Sequence, residues 1–96
     1  MSVAVAPMNY DLLTQPERAQ LRAEYVKAQG GMCSHCGEPL GAPPSEGMLA
    51  RAINLELFPP NFLRYPVHLH HDHETGMTLG AVHARCNAVL WQYHRK

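Results

Sequence analysis

Residues 68–87 read HLHHDHETGMTLGAVHARCN, and this stretch decides how the chain folds. The run from Val67 to His73 is short and extended, ending in His70, His71, Asp72 and His73. Thr75-Gly76 stands where the chain must reverse. The run from Met77 to Val82 is apolar and β-prone apart from Gly80, and it leads straight into His83-Ala84-Arg85-Cys86-Asn87. The expected local structure is a β-hairpin entering a helix. Five of the seven histidines lie here. Crowded imidazoles repel one another once protonated, and a metal or a phosphate is the usual reason to accept that cost.

Working outward, Cys33-x-x-Cys36 is half of a metal knuckle, because two thiolates three positions apart at a tight turn can point at one ion. His83-x-x-Cys86 repeats the spacing. Together Cys33, Cys36, His83 and Cys86 make a closed tetrahedral Cys₃His set of the structural zinc kind. Such a zinc pins the end of the first helix to the start of the last one and fixes the hairpin between them. His35, between two ligands, is expected to face solvent. With three cysteines in all, no disulfide framework is built.

The chain has 96 residues and a formal net charge of zero. One domain spanning 1–96 is expected, with a core thin enough for a metal to make up the deficit. Basic residues gather in the second half, where Arg51, Arg64, Arg85, Arg95 and Lys96 stand against Glu56, Asp72 and Glu74. Bound metal would add to that charge and favour an anionic partner. No signal peptide and no membrane span is read, so a cytoplasmic protein with no membrane partner is expected.

Residues 1–11 read as a flexible arm. Thr14-Gln15-Pro16-Glu17 is a helix start, with Thr14 and Glu17 placed for a capping box and Pro16 harmless in the first turn. The spacing predicts a helix to about Gln29, with Leu21, Tyr25 and Ala28 on one face and Gly30-Gly31 as its stop. Residues 41–47 form an irregular loop. Met48 to Leu57 is predicted as a short helix ended by Pro59-Pro60. A last helix is expected from about Ala84 to Tyr93, facing Val89 or Leu90 and Tyr93 inward. Cys86 and Asn87 are about 100° apart on it, so one can face the zinc while the other faces the hairpin.

The ordered set Cys33-x-x-Cys36, His70-His71-Asp72-His73-x-Thr75-Gly76 and Gly80-x-x-His83-x-x-Cys86-Asn87 resembles the HNH, or ββα-metal, nucleases. It is most similar to their recombination endonuclease VII branch, which carries an Asp-His-Asp-His-x-Thr-Gly hairpin, a Gly and a Cys-x-x-Cys-Asn. The likeness covers roughly residues 32 to 90. It implies an α+β, zinc-stabilised ββα-metal (His-Me finger) fold with an additional N-terminal helix. It also implies an endonuclease that hydrolyses DNA phosphodiester bonds, by nicking or double-strand cleavage, and leaves a 5′-phosphate and a 3′-hydroxyl. Relatives occur in phages and prophages, which places the chain in a bacterial or phage-infected cell.

Carried over by position, His71 matches the general base that activates water. His73 matches the last histidine of the run, which orients the phosphate or the base. His70 stands at the position of one catalytic-metal ligand and Asn87 at that of the other. Cys33, Cys36, His83 and Cys86 match the structural zinc positions, with His83 in place of a cysteine. Histidine at position 70 shifts the metal preference from Mg²⁺ toward Mn²⁺ and other transition metals. For both histidines 70 and 71 to address one phosphate, the strand end must twist or bulge, because adjacent residues point to opposite faces. Arg64, Arg85, Arg95 and Lys96 are candidate phosphate contacts. His68 is expected on the strand surface or against DNA. His94 lies about 10 Å along the helix from Asn87, too far to share its metal. Leu79 replaces an Arg that often precedes the hairpin Gly. Residues 37–66 are long for this branch and read as a substrate-binding insertion. Relatives dimerise through a C-terminal part not present here, so a monomer or weak homodimer is expected. The competing reading is a zinc-containing nucleic-acid-binding module without catalysis.

Overall fold

The computed structural model describes residues 5–95. Helix α1 spans Gln15–Ala28 and opens with the capping box read from the sequence: Glu17 N–H donates to Thr14 Oγ1, and Thr14 N–H to the Glu17 carboxylate. Its buried residues are Leu21 and Tyr25. Strands β1 (Val67–His71) and β2 (Thr78–His83) form an antiparallel hairpin, and β2 passes directly into α3 (Ala84–His94). A short helix, α2 (Glu46–Leu49), packs on α3. The chain is thus a small α+β unit with a hairpin and a C-terminal helix. Among the described residues, no helix is long and apolar enough to cross a membrane.

The core lies where α1, β1, β2 and the knuckle meet, and Leu21, Tyr25, Leu40, Leu69, Ala81 and Val82 pack there with Cys33 and Cys86. The Tyr25 hydroxyl reaches Thr78 Oγ1 at 2.9 Å, which ties α1 to the middle of the molecule. At the hairpin turn Asp72 Oδ1 accepts the N–H groups of Glu74 and Thr75, and Gly76 takes the positive φ of 77° that closes the turn.

The outer edge of β2 is covered rather than open. Gln29 Oε1 accepts Ala81 N–H while its Nε2 donates to the Ala81 carbonyl, so one side chain imitates a neighbouring strand. Ser34 N–H also donates to that carbonyl. Gly80 leaves room for this: a Cβ there would stand 3.0 Å from both Gln29 Oε1 and Ser34 Oγ. Farther along the same edge, Thr78 N–H donates to the Met8 carbonyl and Tyr10 N–H to the Gly76 carbonyl. Residues 8–10, read from the sequence as part of a flexible arm, therefore pair with the hairpin; residues 1–4 of that arm lie outside the described range.

The helix expected over 48–57 does not form as one piece. Ser45 caps α2 two residues before the expected start, and Asn54 caps a separate 3₁₀ turn at Leu55–Leu57. Side chains of α3 take the carbonyls between them. Arg85 donates to those of Met48, Leu49 and Arg51, and Tyr93 and Gln92 donate to that of Ala52. The Met48 carbonyl also accepts Arg51 N–H, whereas the Ala52 carbonyl has side-chain donors where a continuous helix would supply a backbone N–H.

Candidate metal centre and adjoining cavity

Cys33 and Cys36 leave a tight turn closed by Gly37 N–H to the Cys33 carbonyl, and His35 N–H donates to Cys33 Sγ. His83 ends β2 and Cys86 sits in the first turn of α3. The ligand atoms of these four residues all lie within 4.8 Å of one another. His83 Nδ1 is 3.4 Å from Cys36 Sγ and 3.7 Å from Cys86 Sγ. Zinc–sulfur bonds of about 2.3 Å in a tetrahedron require ligand separations of about 3.5–3.8 Å. The cluster could therefore hold a metal such as zinc.

The surroundings fit that use. His83 Nε2 lies 2.9 Å from the carbonyls of both Pro39 and Ala42. Those acceptors place the ring proton on Nε2 and leave the Nδ1 lone pair facing the thiols. The Cys86 thiol donates to Cys33 and holds Cys33 well below the ordinary thiol range, while that same sharing, with burial, pushes Cys86 up. One proton shared among crowded sulfurs is what a cation would displace. His35 is exposed, as expected.

Beside the cluster, a cavity of about 930 Å³ runs from α1 to α3 along β1. His68, His71 and His73 line it from the hairpin, Asn87 and Trp91 from α3, and Arg18 and Arg22 from α1. Cys86 and Asn87 divide as the helix predicts: Cys86 is fully buried toward the cluster and Asn87 opens on the cavity.

His70 does not line this cavity; it is 8% exposed and pairs with Gly80. The expected bulge exists, since the register slips between His70↔Gly80 and His71↔Thr78, with Leu79 as the extra residue. It lies in β2, however, and along β1 consecutive residues Leu69 and His70 are both buried while Val67, His68, Leu69 and His71 all border the cavity. The imidazole beside Asn87 is instead that of His68: Asn87 Nδ2 donates to His68 Nδ1 at 3.1 Å. Burial, and to a lesser degree the charge of Arg22, holds His68 below the ordinary histidine value, so Nδ1 carries a lone pair near neutral pH.

His71 is stacked. Its ring lies parallel to that of Tyr10 at 3.9 Å with 8° between planes, and the Arg18 guanidinium stands 3.8 Å from the same Tyr10 ring. Two groups this close to one ring have room only on opposite faces. Arg18 also donates through Nε and Nη2 to the Tyr10 carbonyl. His73 follows at 4.8 Å from His71. Burial first, then the neighbouring His73 and Arg18, push His71 below 6.5, and Asp11 opposes them.

The predicted phosphate contacts are redistributed. Arg85 does not line the cavity, and its guanidinium donates through Nε and Nη2 to the carbonyls of Met48, Leu49 and Arg51. Arg64 and Arg95 are exposed, stand over Tyr65 and Trp91, and are not among the cavity-lining residues. Lys96 lies outside the described residues. Tyr10, Arg18 and Arg22, which the sequence reading did not single out, line the cavity, and His68, read as strand surface or a DNA contact, lies beside Asn87. The helix left an ambiguous signal: positions 18, 21, 22 and 25 fall at i, i+3, i+4 and i+7, so both arginines border the stripe that buries Leu21 and Tyr25.

Comparison with protein-family models, with curated proteins and with solved structures finds no match to this chain.

Proposed function

We propose that the chain is a zinc-stabilised, metal-dependent endonuclease of the HNH, or ββα-metal, type that hydrolyses DNA phosphodiester bonds. The observation that supports this most is the cavity's lining. Three imidazoles, two side-chain amides and two guanidinium groups line it, with no carboxylate among the described lining residues. That set suits a phosphate and an activated water.

In this reading zinc occupies the Cys₃His cluster and holds the hairpin against α3. His71, neutral near pH 7, takes the proton of the attacking water. Tyr10 fixes the plane of its ring. Arg18 and Arg22 offset the phosphate charge, and His73 orients it. A catalytic divalent cation would be held by His68 Nδ1 and the side-chain oxygen of Asn87, after the amide turns over. When bound it supplies charge relief at the phosphate and the leaving oxygen. Two neutral donors, one of them imidazole, suit Mn²⁺ or another transition metal better than Mg²⁺.

The non-catalytic nucleic-acid-binding reading has one observation in its favour. Among the described residues, His70 does not line the cavity, which leaves His68 and Asn87 as the one imidazole–amide pair in hydrogen-bond contact there. A supercoiled-plasmid assay with a divalent-metal panel separates the two. Nicked or linear product from the wild type, lost in His71→Ala with zinc content intact, supports the nuclease. DNA retention with no product under any metal favours the binding module.

A further inference from the structure

The cavity has a second character that phosphate hydrolysis does not use. Phe58, Phe62, Tyr65 and Trp91 line the cavity together with Arg22. Phe58 stands tilted against Phe62 and edge-on to Trp91, while Phe62 meets His68 edge-on, so these rings are fixed by one another. Tyr65 is different: it lines the cavity yet is 65% exposed, and its one ring contact among the described residues is the Arg64 guanidinium at 6.0 Å. Leu57 beside it is 45% exposed. Arg22 is half-buried, and among the described residues it makes no hydrogen bond or ion pair.

A paired duplex offers such a pocket only sugar and phosphate, because its bases are stacked inside. Aromatic rings and a guanidinium that has no hydrogen bond among the described residues, lining one cavity, match a ligand with an anionic end and a flat π-face. That is an unpaired nucleotide, whose base stacks while its phosphate meets the arginine. The volume falls within the roughly 300–1,000 Å³ that small-ligand sites span.

Resting on the nuclease reading for the choice of DNA, we infer that this cavity takes an unpaired nucleotide of a DNA strand, with Tyr65 as the stacking platform and Arg22 as the phosphate contact. The substrate class is single-stranded or locally unpaired DNA, and selectivity resides in the segment from Leu57 to Tyr65 rather than in the histidines.

The test is binding by the zinc-loaded chain without any other divalent metal. The probes are a short fluorescein-labelled DNA single strand, its duplex, the RNA of the same sequence and a phosphotyrosine peptide. Trp91, the single tryptophan, serves as an internal reporter. The single strand is expected to bind about tenfold more tightly than the duplex and to quench Trp91. Tyr65→Ala is expected to weaken the single strand by about fivefold to fiftyfold and the duplex by less than about twofold. Arg22→Gln is expected to reduce the salt slope of single-strand binding by about one. Equal affinity for duplex and single strand, or an equal loss of both in Tyr65→Ala, overturns the inference. Tighter binding of RNA, or displacement by the peptide, overturns the assignment to DNA. Cleavage is scored separately, so an inactive chain that still prefers single strands refutes the nuclease and leaves this site standing. An active chain without that preference does the reverse.

Discussion

Cys86 and Asn87 are consecutive residues on one helix, yet they belong to opposite kinds of site. Cys86 faces a closed cluster in which thiols converge within 4.8 Å of an imidazole whose far nitrogen is already anchored by carbonyls. Asn87 faces an open cavity whose donors are neutral and incompletely gathered. Thiolates brought that close repel unless a cation joins them, so the first site couples metal to folding. Neutral donors have no such penalty, so the second site can stand empty and admit an ion and substrate together. On the proposed function, the difference separates the metal that would serve the fold from the one that would serve the reaction.

The largest effect should therefore follow loss of the first metal. A strong chelator, or Cys86→Ala, is expected to abolish the cooperative thermal transition in circular dichroism. Structural zinc contributes about 10–16 kcal/mol in zinc-finger peptides, as much as a small domain's whole stability of about 5–15 kcal/mol. A weak chelator that spares zinc should leave the melt unchanged while stopping cleavage. The comparison collapses if the melt is indifferent to zinc removal.

The next effect divides the histidines. His68→Ala is expected to reduce cleavage by about a hundredfold or more with little change in melting temperature, since it removes the donor beside Asn87. His70→Ala should do the opposite. Emptying a site only 8% exposed is expected to cost about 1–3 kcal/mol, or about 5–20 °C, with cleavage by the folded fraction within about threefold of wild type. Abolished cleavage in His70→Ala with an unshifted melt would return the metal seat to His70.

That reversal marks where the sequence stopped being legible. Spacing alone revealed the Cys₃His set, because a knuckle and a first helical turn are local structures with fixed geometry. The capping box at Thr14 and the reversal at Thr75-Gly76 were readable for the same reason. What could not be read depends on distant partners. The 48–57 segment has a helical pattern, but Arg85, Gln92 and Tyr93 take its carbonyls from more than thirty positions away. Residues 8–10 carry no strand pattern because their pairing with β2 is made by backbone. His68 and His70 share one strand face by alternation, and only the position of α3 decides which meets Asn87.

A smaller effect concerns pH. The groups facing His71 are His73 on the hairpin, Arg18 on α1, and Tyr10 and Asp11 on the N-terminal segment. Burial, His73 and Arg18 outweigh Asp11 and lower its pKa. A lowered value keeps the base neutral to lower pH, so cleavage should persist as pH falls past 6.5 and drop only as it passes through the depressed value. The pH–rate profile of kcat/KM measures this. A fall centred above 6.5 would mean that the stacked, partly buried ring is not the base.

The smallest effect tests why Tyr10 is there. Its backbone N–H donates to the Gly76 carbonyl at 2.7 Å and its carbonyl accepts from Arg18, so the main chain at this position is fixed whatever the side chain. The ring then acts on His71 through its face alone. An aromatic stack contributes about 0.5–1.5 kcal/mol. Tyr10→Phe keeps that face and is expected to leave kcat within about twofold. Tyr10→Ala is expected to lower kcat by about threefold to tenfold, with KM little changed and the melt shifted by only a few degrees. Equal losses in both variants would assign the effect to the hydroxyl, as a substrate contact. No loss in either would make the stack a packing contact of the arm. The pattern Phe tolerated and Ala slowed is the signature of a ring that holds another ring in plane, which the zinc cluster achieves with carbonyls and the cavity must achieve with π-contact.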